Sequence, residues 1–96
     1  MSSEIRFEWD ALKARANLRK HGISFETGQL VFADPFHVSD LDRIVDGEER
    51  WQTLGVVGQT ALVLVAHTWR EADGTEVVRI ISARFAEKHE RKRYEQ

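Results

Sequence analysis

The sequence predicts an α+β domain, with helices packed on an antiparallel sheet. Helical patterning occupies residues 10–33, and strand patterning follows from residue 36 to residue 83. The strand-like runs are joined by short connections, which favours an antiparallel meander over parallel crossovers. Helix-forming and strand-forming runs are thus kept apart along the chain, as α+β folds require. The 96 residues suit one domain, 1–96, with no internal repeat, linker or low-complexity segment.

Each element has a local reason. Residues 1–8 alternate weakly through Ile5 and Phe7 and read as a short strand or an ordered lead-in. Asp10 is an N-cap for a helix through about Lys20, with Trp9, Leu12 and Ala16 on one stripe. Gly22 ends that helix in the left-handed conformation. Ser24 caps a second, shorter helix reaching Phe32 or Ala33, with Phe25, Gly28, Val31 and Phe32 inward. Asp34-Pro35 stops it, because proline disfavours a helical residue before it. Residues 36–39 read as a strand. Residues 40–49 are polar, carry Gly47 and read as a loop. Residues 50–57 form a second strand, ending at the turn Gly58-Gln59-Thr60. Residues 61–68 form a third, whose near-continuous apolar run predicts a central strand covered on both faces for part of its length. Asp73-Gly74 is a two-residue hairpin turn. Residues 77–83 form the fourth strand. The run 85–94 is rich in helix formers, with Glu87 four residues before Arg91.

Composition narrows the class. Apolar residues at 42% and charged residues at 31% fit a soluble globular protein. The absence of cysteine excludes disulfides and thiolate metal sites. The longest apolar run, residues 61–66, is far too short to span a membrane, and no apolar leader follows a basic start. A cytoplasmic location is expected. Net charge is −2, but it is unevenly spread. Residues 1–24 carry five basic and three acidic residues, residues 34–49 one and six, and residues 84–96 five and three. Basic ends around an acidic middle suggest a surface divided between a polyanion and another partner.

No metal-ligand spacing is present: His21, His37, His67 and His89 are scattered, and His89-Glu90 lacks a second histidine. Gly55-Val56-Val57-Gly58 falls in a strand and turn, not in a phosphate loop. Ser82 as a nucleophile would need an adjacent base, so a hydrogen-bonding role is the simpler reading. What remains is arginine, histidine and tyrosine, and RNA cleavage without metal needs little more. A base takes the 2′-hydroxyl proton, an acid protonates the leaving 5′-oxygen, and fixed cations stabilise the phosphorane. A strand from Arg79 to Arg84 leading into a basic helix can gather Ser82, Arg84, Lys88 and Arg91. The hairpin at Asp73-Gly74 brings His67 near Arg79 or Ile80, as a proton carrier or as a strand-end or core histidine. Trp51 and Trp69 could stack bases, although strand aromatics more often pack. Arg79 and Arg84 differ by five positions, so an unbroken strand sends them to opposite faces. Serving one site requires a bend, expected at Ala83. The competing reading of this stretch is a solvated helix after an edge strand.

Several blocks then line up in order: Phe7-Glu8-Trp9-Asp10, Lys20-His21-Gly22-Ile23-Ser24-Phe25, Val31-Phe32-Ala33-Asp34-Pro35, Gly47-Glu48-Glu49-Arg50 and Arg79-Ile80-Ile81-Ser82-Ala83-Arg84, with Glu90-Arg91 and Tyr94. Together they resemble the BrnT family of type II toxins over nearly the whole chain. The resemblance implies a RelE-like fold: two N-terminal helices, a four-stranded antiparallel sheet and a C-terminal helix. It implies a metal-independent endoribonuclease, without cofactor, that inhibits translation. It also implies neutralisation by a BrnA-like ribbon-helix-helix antitoxin, operator DNA bound only through the antitoxin complex, and room for a homodimer within that complex. Pattern and resemblance together select Arg84, Arg79, His67, Glu90 and Tyr94 as candidate catalytic residues. Lys20, Arg50, Lys88 and Arg91 are the candidate RNA contacts. The alternative is a non-catalytic RNA-binding or antitoxin-partner module.

Overall fold

The computed structural model describes residues 4–96, so residues 1–3 of the expected lead-in lie outside the described residues. The order is β1 (Ile5–Glu8), α1 (Ala11–His21), α2 (Phe25–Gly28) continuing as a 3₁₀ turn (Gln29–Ala33), β2 (Val38–Val45), β3 (Glu48–Val57), β4 (Ala61–Ala72), β5 (Thr75–Phe85) and α3 (Lys88–Tyr94). The strands form one sheet in the order β1-β5-β4-β3-β2. Strands β2 to β5 are an antiparallel meander, and β1 pairs parallel with β5. The fold is α+β, but the expected four-stranded antiparallel sheet becomes a five-stranded mixed one with three helices around it.

The predicted caps are in place. Asp10 accepts from the Lys13 N–H at 2.9 Å, and Gly22 closes α1 with φ 74°. Ser24 accepts from the Thr27 N–H at 3.0 Å. The polar stretch expected to be a loop is instead most of β2 and the start of β3. Its turn, Asp46-Gly47, has φ 51° and 79°, matching Asp73-Gly74 at 53° and 79°. Both are two-residue turns with positive φ at each position, the geometry that Asp-Gly suits. The stretch is polar because β2 is an edge strand with little to bury.

The two sheet faces are covered differently. On one, Ile23, Phe25 and Val31 pack against Val63, Val65, Val78, Ile80 and Ala83. There Gly55 lies under the 3₁₀ turn so closely that a Cβ would stand 2.7 Å from the Val31 carbonyl oxygen. On the other, α3 covers Leu54, Leu62 and Leu64 with Ala86 and Tyr94. The middle of β4 is therefore sandwiched, as its apolar run predicts.

Asn17, the buried residue of α1, fixes that helix to β5. Strand β1 pairs only as far as Arg79, leaving the β5 edge bare beyond it. The Asn17 amide takes over: Oδ1 accepts from the Ala83 N–H at 3.1 Å, and Nδ2 donates to the Ala83 carbonyl at 2.8 Å and to that of Ile23 at 3.0 Å. One side chain thus does the hydrogen bonding of a missing strand residue.

Candidate nucleic-acid interface

The ladder between β4 and β5 decides where the arginines point. Ala66 pairs with Ser82 and His67 with Ile80, so Ile81 is an extra residue, a β-bulge. The bulge resets the alternation. Arg79 lies opposite Thr68 and Arg84 opposite Leu64, an even spacing on β4, so both arginines project from the α3 side of the sheet. The required break in the strand exists, but at Ile81 rather than at Ala83, and β5 continues to Phe85. The four-residue step between their partners sets the two arginines about 13 Å apart along the strand.

A second bulge does the same in β2. Leu41 pairs with Trp51 and Arg43 with Arg50, leaving Asp42 extra. Arg43 is thereby turned to the face that holds Arg50. The β3–β4 ladder begins only at Trp51 and His67, so residues 45–50 extend past it. A concavity of 260 Å³ on this face is lined by Arg43, Val45, Arg50, Ala66, Ile81 and Ser82 among others, joining β2 to β5. The small side chains of Ala66 and Ser82 leave the space, and arginines border it. Glu48 reaches over β4: its Oε1 lies 2.8 Å from Arg79 Nη2 and 3.4 Å from Arg50 Nε.

Arg84 is engaged differently. Its Nη1 and Nη2 donate to the two carboxylate oxygens of Glu90 at 2.9 and 2.8 Å, and Nη1 also reaches the Phe85 carbonyl. Glu90 is 5% exposed and accepts from the Glu87 N–H at 2.8 Å, completing the capping box of α3. The bond from Arg84 outweighs burial and holds the Glu90 carboxyl below its usual range, and the same bond raises Arg84. The pair ties α3 to β5. Tyr94 ties α3 to the 3₁₀ turn: its hydroxyl donates to Asp34 Oδ2 at 2.5 Å, where the Val56 N–H also donates at 2.8 Å. Burial would raise Asp34, but Tyr94, Val56 and Phe36 as donors lower it overall. Tyr94 is correspondingly raised by its bond to Asp34.

His67 is on the other face. It is fully buried, opposite Ile80, with Phe32 packed edge-on at 5.0 Å. Its Nδ1 lies 2.9 Å from the Thr68 carbonyl, so that nitrogen carries the proton and Nε2 accepts from the Thr53 hydroxyl at 2.7 Å. Ser39 bonds Thr53 in turn at 2.7 Å. Burial pushes the imidazole down to about 4, against the pull of the Thr68 carbonyl. Trp51 and Trp69 lie beside it, T-shaped at 5.5 Å, with Trp69 donating to Glu76. Trp69 packs the core edge, whereas Trp51 also borders the concavity of the arginine face. Lys20 is exposed at the end of α1, also on the helix side. Lys88 and Arg91 are exposed on α3, which borders the arginine face.

The structure therefore gathers Arg79 and Arg50, sets Arg84, Lys88 and Arg91 at the rim, and keeps His67 and Lys20 apart from them. Arg43 is an addition that sequence alone hid, because only the Asp42 bulge turns it to this face, where its exposed guanidinium pairs with Asp42 at 3.0 Å. Among the described residues no three histidine, aspartate or glutamate side chains are placed to hold a metal ion, and no helix is long and apolar enough to cross a membrane.

Comparison with known proteins agrees with the fold. No curated protein matches the chain. The crystal structure of the Brucella abortus ribonuclease toxin BrnT superposes with a TM-score of 0.58 at 18% identity, covering 91% of this chain and all of the other. That likeness concerns the fold. The family described as the ribonuclease toxin BrnT of type II toxin-antitoxin systems matches residues 9–90, from the lead into α1 to the first turn of α3. Matched over most of its length, the chain belongs to the BrnT family of ribonuclease toxins of type II toxin-antitoxin systems.

Proposed function

We propose that this chain cleaves RNA internally, without a metal ion, on the open sheet face between α3 and the β2–β3 hairpin. The observation that carries the proposal is the Ile81 bulge, which sets Arg79 on the same face as Arg50 and Arg84. Arg79 and Arg50 grip the scissile phosphate and stabilise the phosphorane, a task suited to planar donors that stay charged. Arg43, Arg84, Lys88 and Arg91 lead the flanking phosphates along the face. Glu90 and Tyr94 act by position, anchoring α3, and His67 acts by ordering the core beneath. Proton transfer passes to water, which reaches this face freely. Cleavage of messages in the cytoplasm halts translation. A BrnA-like antitoxin with a ribbon-helix-helix domain is the neutralising partner, and operator DNA and a homodimer belong to the complex with it.

Purified protein incubated with total RNA tests the proposal. Cleavage that persists with a chelator and is lost in Arg79→Ala is the expected result. A second reading, capture of RNA without cleavage, draws on one observation: the only strand histidine among the described residues is His67, on the covered face. Binding that weakens steeply with salt, with no product formed, would establish that reading.

A further inference from the structure

We propose that Glu48 is a built-in phosphate mimic that holds the phosphate seat between Arg79 and Arg50 closed until RNA displaces it. One oxygen, Glu48 Oε1, lies 2.8 Å from Arg79 Nη2 and 3.4 Å from Arg50 Nε. A single anionic oxygen shared by two guanidinium groups is what a bound phosphate oxygen would be. Arg50 Nε is buried and has no hydrogen-bond partner of good geometry, so the seat is not fully satisfied by the carboxylate. The Glu48 side chain is 45% exposed and those of Arg79 and Arg50 are 34% and 29% exposed, so the ion pairs are wet and hold weakly.

The surroundings fit a latch rather than a strut. Glu48 begins β3 beside the Asp46-Gly47 turn, beyond the last rung shared with β4. Its half-exposed side chain can turn out by a rotamer change while the backbone of Glu48, Arg50 and Arg79 stays paired in the sheet. The acidic segment of the sequence, residues 34–49, thereby gains a use: its last turn brings a carboxylate over the basic face of the same molecule. In the free protein this neutralises the seat and disfavours stray anions. A polyanion that engages Arg43, Arg84 and the α3 cations at once can displace a single weakly held carboxylate, where an isolated small anion cannot.

The inference rests on the RNA-cleaving reading of this face, and binding to a noncleavable 2′-deoxy oligonucleotide separates the two. Glu48→Gln and Glu48→Ala are compared with the unaltered protein and with Arg79→Ala, by fluorescence anisotropy across salt concentrations. Both Glu48 variants should bind roughly fivefold to tenfold tighter. Their salt slope should steepen by about 0.7, the value for one more phosphate engaged on a single strand. If Arg79→Ala weakens binding while neither Glu48 variant tightens it, the latch is overturned and the RNA reading stands. If binding is unaffected by Arg79→Ala as well, both fall. Weaker binding in both Glu48 variants, with unchanged melting, would make Glu48 a positioning residue and would equally overturn the latch.

Discussion

The two faces of the sheet use polar residues in opposite ways. On the helix-covered face, polar groups are buried and answer one another: Ser39 to Thr53, Thr53 to His67, His67 to the Thr68 carbonyl. On the α3 side, Arg79 and Arg50 are partly exposed and share one carboxylate. A histidine is the usual candidate for chemistry at neutral pH, yet here it is a core residue held neutral by burial. The cations beside the open concavity are the groups a substrate can reach. Residue type alone leaves the histidine and the arginines both in play; burial and partners separate them.

Substitution on each face should therefore give opposite phenotypes. Arg79→Ala should lower cleavage about 100-fold to 1,000-fold, the usual loss when one fixed donor to a developing charge is removed. Its melting should be nearly unchanged, because its ion pair is exposed. His67→Ala should cost roughly 3 kcal/mol of stability, by opening a cavity and leaving the Thr53 hydroxyl without its acceptor. Activity per folded molecule should be retained. Cleavage assays paired with chemical denaturation check both. A His67→Ala protein that stays folded and loses all cleavage would move the chemistry to the covered face.

The helices and most turns were legible because their signals are local. Asp10, Gly22, Ser24 and Asp73-Gly74 act within a few residues of themselves, and each is found where its chemistry puts it. The β2–β3 hairpin was missed because an edge strand facing solvent looks like a loop in composition. Its Asp46-Gly47 turn carried the same signal as Asp73-Gly74, and weighing turn chemistry above polarity would have found it. The parallel pairing of β1 is non-local, and four residues hold too little pattern to reveal it. The bulges at Asp42 and Ile81 had no readable mark. They exist only as a mismatch of register between two strands, yet they choose which arginines share a face. Residue types are therefore easier to read from the sequence than the register that arranges them.

The same contrast should appear against pH. His67 titrates lower in the fold than in the unfolded chain, from 6.5 to about 4. The unfolded state then binds more protons as the pH falls, so stability is full above about 6.5 and drains away toward 4. The loss amounts to roughly 3 kcal/mol across that window. Glu90 and Asp34, both lowered, add their own losses as the pH falls through the ordinary carboxylate range and below it. A guanidinium stays charged, so oligonucleotide affinity should stay flat from about pH 8 to 5 while stability falls only below about 6.5. Denaturation midpoints and anisotropy on the same samples test this, and in His67→Ala the slope between about pH 6.5 and 5 should vanish.

The smallest effect expected is at the Arg84–Glu90 pair, which ties α3 to β5. Glu90→Gln keeps an acceptor for the Glu87 N–H but removes the charge that binds Arg84 at two points. The cost should be roughly 1 to 2 kcal/mol, less than for a fully buried pair because Arg84 is 29% exposed. Freed from Glu90, Arg84 can turn toward the open face, so oligonucleotide binding should hold or tighten slightly while α3 loosens. Cleavage should change less than threefold. A carboxyl held ionised by Arg84 has no proton to give near neutral pH, which is why a modest effect is expected. If Glu90→Gln instead abolished cleavage with melting intact, Glu90 would be accepting the 2′-hydroxyl proton, and the catalytic centre would lie at the α3 end of the face, with Arg84 rather than Arg79 on the phosphate.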